Sequence, residues 1–425
     1  MRIRFNDYQK SDEMSDVKET FNNDNFYLNG IGVEKDEDKA FNYAIPYNNP
    51  PARTQLMSGL ASDKIYYFGG YGNTESTLND IFYIYLTQPF YNFYPKYQLV
   101  GLLDFRGGAS AASDANNIYV FGGFSDSGTP KDELYIIHTD SLQENPIPNY
   151  VQETNSTPFQ RKWHTSVIDN KKLYVWGGVR LTGLTESLGD GIMYIYDITQ
   201  SVWTSNPTPN QPIGRLLHTA TLLPDGRIIM IGGLFSSDVR QLDVYDTKTN
   251  QWTNITATKN DVIPPIVGHT ATLLPDNQSI LICGGSNQSE YSGLASLNAS
   301  NYVWTVISPN GTNGTSPTSF FGGHVATLYA NVIIFAFGGH PNNSLHPFNY
   351  VGTNNTVKIL NISNDQYRWV DSFTPIPVAK QNAQASDIKI IIIIVPIIGV
   401  IVFIVILVLL LYFIHHKHPF VIIID

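Results

Sequence analysis

Between residues 50 and 373 the apolar residues come in short, nearly continuous runs, each closed by glycine and followed by turn-forming residues. Runs of this length, rich in Ile, Val, Tyr and Phe, predict strands covered on both faces, and helical periodicity is absent throughout the stretch. Leu216 to Trp252 shows the order most clearly. HTATLL (218–223) predicts a first strand, LPDGR a tight turn with Asp225-Gly226 as its hairpin signal, and RIIMIGG a second strand. LDVYD (242–246) predicts a third strand, TKTN a turn, and QWTNI (251–255) a fourth. The unit is an antiparallel meander.

The unit recurs. HTATLLPDGRIIMIGG at 218–233 returns as HTATLLPDNQSILICGG at 269–285, and the apolar run closed by two glycines appears six times. The pairs are Gly69-Gly70, Gly122-Gly123, Gly177-Gly178, Gly232-Gly233, Gly284-Gly285 and Gly338-Gly339, with first glycines 53, 55, 55, 52 and 54 residues apart. So steady a period marks a repeat protein. One meander cannot bury both of its faces, so six must pack face to face. Radial closure leaves only short edges; a linear solenoid is the alternative, but it needs polar capping units, and the terminal repeats here are as apolar as the middle ones.

Third strands are predicted at IFYIYL (81–86), ELYIIH (133–138), MYIYDI (193–198) and VKILNI (357–362), and fourth strands carry Trp203, Trp304 or Trp369. The apolar run ending in Gly-Gly, the Tyr-rich third strand and the spaced Trp together resemble the kelch repeat over about residues 50–373. The resemblance implies an all-β, six-bladed β-propeller with four antiparallel strands per blade, similar to the blades of galactose oxidase and of attractin- and muskelin-like proteins. It does not by itself imply catalysis. The expected organisation is a polar N-terminal segment (1–48), the propeller (49–373), a linker (374–387), a transmembrane helix (388–414) and a short tail (415–425).

The helix is expected from Ile390 to Phe413, 24 residues without a charge, and Pro396 near its start is tolerable there. Lys389 before it and HHKH (415–418) after it are a weak positive-inside signal for a cytoplasmic C-terminus. His415, His416 and His418 read as a stop-transfer flank. The first twenty residues, MRIRFNDYQKSDEMSDVKET, show no apolar segment of the signal-peptide kind. The side of the membrane therefore rests on other signs. Ten Asn-x-Ser/Thr sequons, at Asn155, Asn254, Asn277, Asn287, Asn298, Asn310, Asn313, Asn342, Asn354 and Asn361, fall mostly in expected turns and loops and point to an extracellular or lumenal propeller.

A net charge of −10 argues against a nucleic-acid partner. The single cysteine, Cys283, rules out an intramolecular disulfide framework. Arg53, Arg106, Arg161 and Arg215 open the first strand of repeats one to four, and His164, His218, His269 and His324 stand three residues further on in repeats three to six. One histidine per blade spreads the nitrogens around a channel instead of converging them on one ion, so these ladders read as hydrogen bonds between blades, with no metal and no cofactor. A copper oxidase similar to galactose oxidase needs a tyrosine cross-linked to a cysteine. Cys283 instead occupies the apolar place filled by Phe68, Phe121, Trp176, Ile231 and Phe337 in the other repeats, and no catalytic residues are assigned.

Loop length separates the two faces. The turns within the first and last strand pairs are expected to be short (SDK, DANN, IDNKK, PDGR), whereas the loops after the glycines are long: YGNTESTLND, VRLTGLTESLGDG, HPNNSLHPFNYVGTNNT. Varied loops on a rigid scaffold carry recognition. The expected function is a membrane-anchored, non-enzymatic module for recognition or adhesion that binds protein or carbohydrate through this face. A cytosol-facing, tail-anchored scaffold and a galactose-oxidase-like enzyme stand as alternatives.

Overall fold

Each of the six apolar runs becomes the second strand of a four-stranded antiparallel meander, to which a short parallel strand is added at the outer edge in blades 5 and 6. The first and second strands are Met57–Ala61 and Lys64–Phe68 in blade 1, Ser110–Ser113 and Asn117–Phe121 in blade 2, and Thr165–Asp169 and Lys172–Trp176 in blade 3. They are Thr219–Leu222 and Arg227–Ile231 in blade 4, Thr270–Leu273 and Ser279–Cys283 in blade 5, and Val325–Tyr329 and Val332–Ala336 in blade 6. Third and fourth strands follow in the same order, as in blade 4 with Gln241–Asp246 and Gln251–Thr256. This computed structural model describes residues 50–375 apart from 73–75, 92–96, 103–106, 125–133, 140–148, 151–156, 183–184, 237, 260–262, 286–292, 312–321, 342–349 and 352–353. The described residues up to Thr374 form one compact unit.

The second strands are apolar on both faces because each lies between two neighbouring sheets. Ile229 and Ile231 of blade 4 share a core with Ile280 and Ile282 of blade 5, and Tyr119 and Phe121 of blade 2 share one with Leu173 and Val175 of blade 3. Burying each such side chain contributes about 1.5–3 kcal/mol, so the inter-blade layers hold the fold. Leu56, Tyr67 and Phe82 of blade 1 meet Ile334, Phe337 and Ile359 of blade 6 in the same way. The sheets therefore close a circle. First strands of successive blades touch all the way round, blade 6 to blade 1 included, and so line the axis.

At one end of the axis a single backbone position per blade links the circle. Gly108 N–H donates to Gln55 C=O, Trp163 to Gly108, Leu217 to Trp163, Gly268 to Leu217, Gly323 to Gly268, and Gln55 to Gly323, at 2.7–3.3 Å. All six residues are left-handed, with φ between 51° and 73°. Around the rim, the chain leaving one blade runs to the outer edge of the next. Thr258–Lys259 pairs with Val303–Trp304 of blade 5, and Asn310–Gly311 with Arg368–Trp369 of blade 6. Ser372–Phe373, leaving blade 6, pairs with Phe90–Tyr91 of blade 1, where the Phe90 and Phe373 rings stack at 5.0 Å. Blade 6 holds its own fourth strand, Arg368–Val370, so its four strands all come from one repeat.

The paired glycines follow from crowding. A Cβ on Gly122, Gly177 or Gly232 would stand 2.4–2.7 Å from the carbonyl oxygen of Arg161, Arg215 or Ile266 of the next blade, and 2.7–2.8 Å from the ring of its histidine. Blade 6 departs from the register expected above. Val325 pairs with Ala336, as Thr270 does with Cys283, so Ala336 and not Phe337 shares the place of Cys283. The left-handed pair in blade 6 is Phe337 (φ 64°) and Gly338 (φ 91°), matching Gly232 (60°) and Gly233 (92°), and Gly339 falls one step beyond in a bridge to Gly322. A side chain is tolerated at 337 because the next blade carries Leu56 where blades 3 to 6 carry histidine, and the Phe337 ring packs on Tyr67 and Phe82 instead.

Other expectations need correction. The link between third and fourth strands is not short in every blade: it spans residues 86–97 in blade 1 and 139–148 in blade 2. VRLTGLTESLGDG is no simple loop, because Val179–Thr182 and Thr185–Leu188 form a hairpin whose inner strand pairs with Arg161–Lys162. No helix among the described residues is long and apolar enough to cross a membrane. The segments 1–48 and 388–414, most of the linker and the tail with His415, His416 and His418 lie outside the described residues.

Gly232→Ala is expected to destabilise the propeller by about 1–3 kcal/mol through left-handed strain and overpacking against Ile266 and His269. Gly339→Ala, free of that backbone strain, is expected to cost clearly less. Urea unfolding of the two variants checks the register of blade 6.

Candidate functional site at the long-loop face

First strands begin, and second strands end, at one end of the axis. That end therefore gathers the approach segments, the Gly-Gly pairs and the long loops. The expected arginine and histidine ladders both sit there, and both are internal. Arg53, fully buried, grips Asp80 of its own third strand with Nη1–Oδ1 at 2.5 Å and Nη2–Oδ2 at 2.7 Å. Arg215 forms an ion pair with Asp243 through Nη2 and Oδ2 alone. Arg53, Arg161 and Arg215 also donate Nη1 to the carbonyl of the first glycine of their own blade, Gly69, Gly177 and Gly232. Arg106 lies outside the described residues. A buried arginine thus ties the start of the first strand to the third strand and to the glycine corner.

Each histidine reaches back to the previous blade. Nε2 of His164, His218, His269 and His324 forms a hydrogen-bonded pair with Ser110 Oγ, Thr165 Oγ1, Thr219 Oγ1 and Thr270 Oγ1, at 2.7–3.0 Å. Burial, with nearby Arg161 and His218, holds His164 well below the ordinary imidazole range. Burial, aided by Arg215 and His269, brings His218 down to about 3, and burial with His324 does the same for His269. These rings are neutral pegs between blades. Among the described residues no three His, Cys, Asp or Glu side chains gather as a metal site.

Cys283 is buried with Leu281, Leu294, Phe335 and Trp369, and burial pushes its thiol up. It reads as core. Of the sequons, Asn155, Asn287, Asn313 and Asn342 lie outside the described residues. Four of the other six are strand residues: Asn254 and Asn361, inside the strands expected at 251–255 and 357–362, and, contrary to the expectation of turns and loops, Asn298 and Asn310. Asn254 Nδ2 donates to Asp243 Oδ1 at 2.9 Å, and Asn354 Nδ2 is buried, so each amide nitrogen is engaged or covered. Asn277 alone among them is exposed in a turn, between the first two strands of blade 5.

Among the described residues six large hydrophobic side chains are exposed, and four are at the long-loop end: Phe159 (46%), Leu188 (37%), Ile213 (77%) and Phe235 (67%). They are neighbours on blades 3 and 4. Gly214 packs on the carbonyl of Gly189, which sets Ile213 beside Leu188, and the Leu216–Leu234 bridge carries Phe235 alongside. Nearer the axis, Trp163 lies over Gly108 and donates Nε1 to Gln55 Oε1 at 2.6 Å, with Lys162 Nζ 4.1 Å from its ring. Sequence reasoning missed Gln55, Trp163 and Leu217 as ring-forming positions. The available signal was glycine at the matching places 108, 268 and 323.

The chain matches the KLHDC2/KLHL20/DRC7 Kelch-repeats domain family over residues 102–260 and again over 217–395. It belongs to this kelch-repeat family. Among curated proteins it is similar to Adagio-like protein 3 of Oryza sativa subsp. japonica, 26% identical over 311 residues, which is 68% of this chain and 46% of that protein. It is also similar to Tip elongation aberrant protein 1 of Schizosaccharomyces pombe, 25% identical over 207 residues (47% and 17%). Multiple epidermal growth factor-like domains protein 8 of Mus musculus matches at 27% over 197 residues (44% and 7%). The matched regions span less than half the length of these relatives. The kelch assignment accounts for the repeat.

The neutral histidines make kelch stability pH-dependent. Their folded-state pKa values lie below the unfolded value of about 6.5, so the unfolded chain takes up protons first as pH falls, and stability is lost from about pH 6.5 towards pH 3. Each of His164, His218 and His269 is expected to contribute roughly 1 kcal/mol per pH unit in that window. His218→Asn is expected to flatten the slope of unfolding free energy against pH, measured by urea titration between pH 4 and 7. An unchanged slope would show that these rings are not the acid-sensitive groups.

Proposed function

We propose that this kelch ring is a non-enzymatic recognition module that binds a protein partner on its long-loop face, centred on blades 3 and 4. The clustering of Phe159, Leu188, Ile213 and Phe235 carries the reading. A contiguous exposed apolar patch is the usual mark of a partner surface. Aliphatic Ile213 and Leu188 offer no hydrogen bonds to sugar hydroxyls, which favours protein over carbohydrate. The packing of Cys283 in an apolar core supports a binding role over oxidase chemistry, and no cofactor is proposed.

The uncharged run 390–413 supports membrane anchoring, and the sequons, Asn277 above all, support a ring facing the outside or a lumen. Two measurements test these readings. A photo-crosslinking amino acid placed at Phe235 or Ile213 in cells is expected to form adducts with polypeptide, and at Tyr91 or Val202, exposed away from this patch, it is not; equal labelling at all four would end the assignment of the face. N-glycosidase treatment of the full chain is expected to increase its gel mobility, and the increase is expected to shrink in Asn277→Gln. No change in mobility, with protease sensitivity from the cytosolic side, would place the ring in the cytosol.

A further inference from the structure

The chain leaves the ring at a clip. Ser372–Phe373, the last paired residues of the described unit, lie antiparallel to Phe90–Tyr91 in the link between the third and fourth strands of blade 1, with Ser372 opposite Tyr91 and Phe373 opposite Phe90. Side chains alternate across a strand, and the two aromatics of blade 1 divide accordingly. Phe90 turns inward onto Phe373, which also meets the Tyr329 ring at 6.0 Å. Tyr91 turns outward and is 68% exposed, the most exposed aromatic side chain among the described residues.

That link is lengthened and aromatic. Third and fourth strands are joined by residues 198–201 in blade 3, 247–250 in blade 4 and 299–302 in blade 5, but by 86–97 in blade 1. Its last eight residues, FYNFYPKY (90–97), hold five aromatics, whereas the long link of blade 2, TDSLQENPIP (139–148), holds none. Length alone therefore does not account for them. Packing accounts for Phe90 and Tyr97, both buried, and not for Tyr91.

What lies downstream of the clip supplies the occupant. Sixteen residues, 374–389, separate it from the uncharged run 390–413. A flexible chain of that length has a root-mean-square span of about 22 Å, so a bilayer that takes up the run is within reach of the clip. An exposed tyrosine suits the boundary of such a bilayer, with a ring for the acyl edge and a hydroxyl for the headgroups. The net charge of −10 gives no attraction to anionic lipid, which leaves the uncharged interface as the surface that fits.

We propose that Tyr91 is an interfacial anchor that rests the rim of blade 1 on the headgroup boundary of the phospholipid bilayer holding residues 390–413. This rests on the reading of that run as a membrane anchor. In a closed circle of six, blade 1 stands opposite blade 4, so the contact leaves Ile213 and Phe235 free for the partner.

The test uses the full chain in phosphatidylcholine vesicles that carry a spin label on part of their choline headgroups. Cys283 is buried, so a fluorophore can be placed selectively on Thr87→Cys, exposed in the same link, or on Val202→Cys of blade 3. Fluorescence at 87 is expected to be quenched at least twofold, and that at 202 to be unaffected. The quenching at 87 is expected to be lost in Tyr91→Ser and kept in Tyr91→Trp, with thermal unfolding unchanged in both. A chain that floats with the vesicles yet is quenched alike at both positions, or at neither, or at 87 whatever stands at 91, would overturn the contact and leave the anchor standing. A chain that does not float with them would end the anchor reading and this inference with it.

Discussion

Everything in this propeller depends on six residues adopting a conformation that L-amino acids avoid. Gln55, Gly108, Trp163, Leu217, Gly268 and Gly323 hold φ at 51–73°, and only then does each N–H face the carbonyl of the blade before it. For the three non-glycine members this backbone is unfavourable by itself. It persists because the surroundings over-determine it. Each residue lies between a pair that are anchored separately, as Trp163 lies between the buried Lys162 and the His164 peg. The circle of hydrogen bonds has no first or last member, so closure satisfies the one donor and one acceptor that an open array of the same six would leave unmatched at its ends.

The remaining repeat-specific residues serve that circle. Histidine fixes the step from the ring into the first strand by holding the hydroxyl of the preceding blade, and its ring then occupies the space beside the glycine corner of that blade. Glycine at Gly122, Gly177 and Gly232 is the consequence of that occupation. Between blades 6 and 1 there is no histidine, and with Leu56 as the next residue in line a phenylalanine, Phe337, holds the left-handed corner. That seam is packed by aromatic rings, where the seams between blades 2 and 6 use imidazole. Arg53 belongs to the same seam, since its carbonyl accepts from Gly338 N–H while its guanidinium lies 4.8 Å from the Phe82 ring.

Strand order, period and blade number were readable from the chain because they follow from local rules: buried runs, turn residues and spacing. The six second strands stand where the apolar runs predict them. The blade 6 register was not readable, because the motif IFAFGG fits the repeat by eye one residue away from where its strand pairs, and only the cross-strand partner of Ala336 decides between the two. The placement of Asn298 failed for a related reason. An Asn at a strand end, as Asn298 is, caps the next turn by accepting from backbone N–H groups, and the chain gives no local sign of where that strand stops. The candidate patch was legible only as a face, since loop length shows which end is variable but not which side chains are exposed.

That limit has a physical origin. Residues that build the repeat answer to their equivalents in five other blades, so each can be checked against the rest of the chain. Residues that give the ring a partner answer to something outside it, and they are found where equivalence breaks. Blade 3 breaks it most: its loop folds into a hairpin, its approach segment carries Trp163 across the axis, and its arginine faces a second arginine instead of a well-seated carboxylate. Buried donors without acceptors are costly, on the order of 1–3 kcal/mol each, and a fold with spare stability in its inter-blade cores tolerates them only where they are not also needed for closure. Arg53 and Arg215, seated on Asp80 and Asp243, satisfy the structure. Arg161 Nη2 and Arg180 Nε find no acceptor among the described residues.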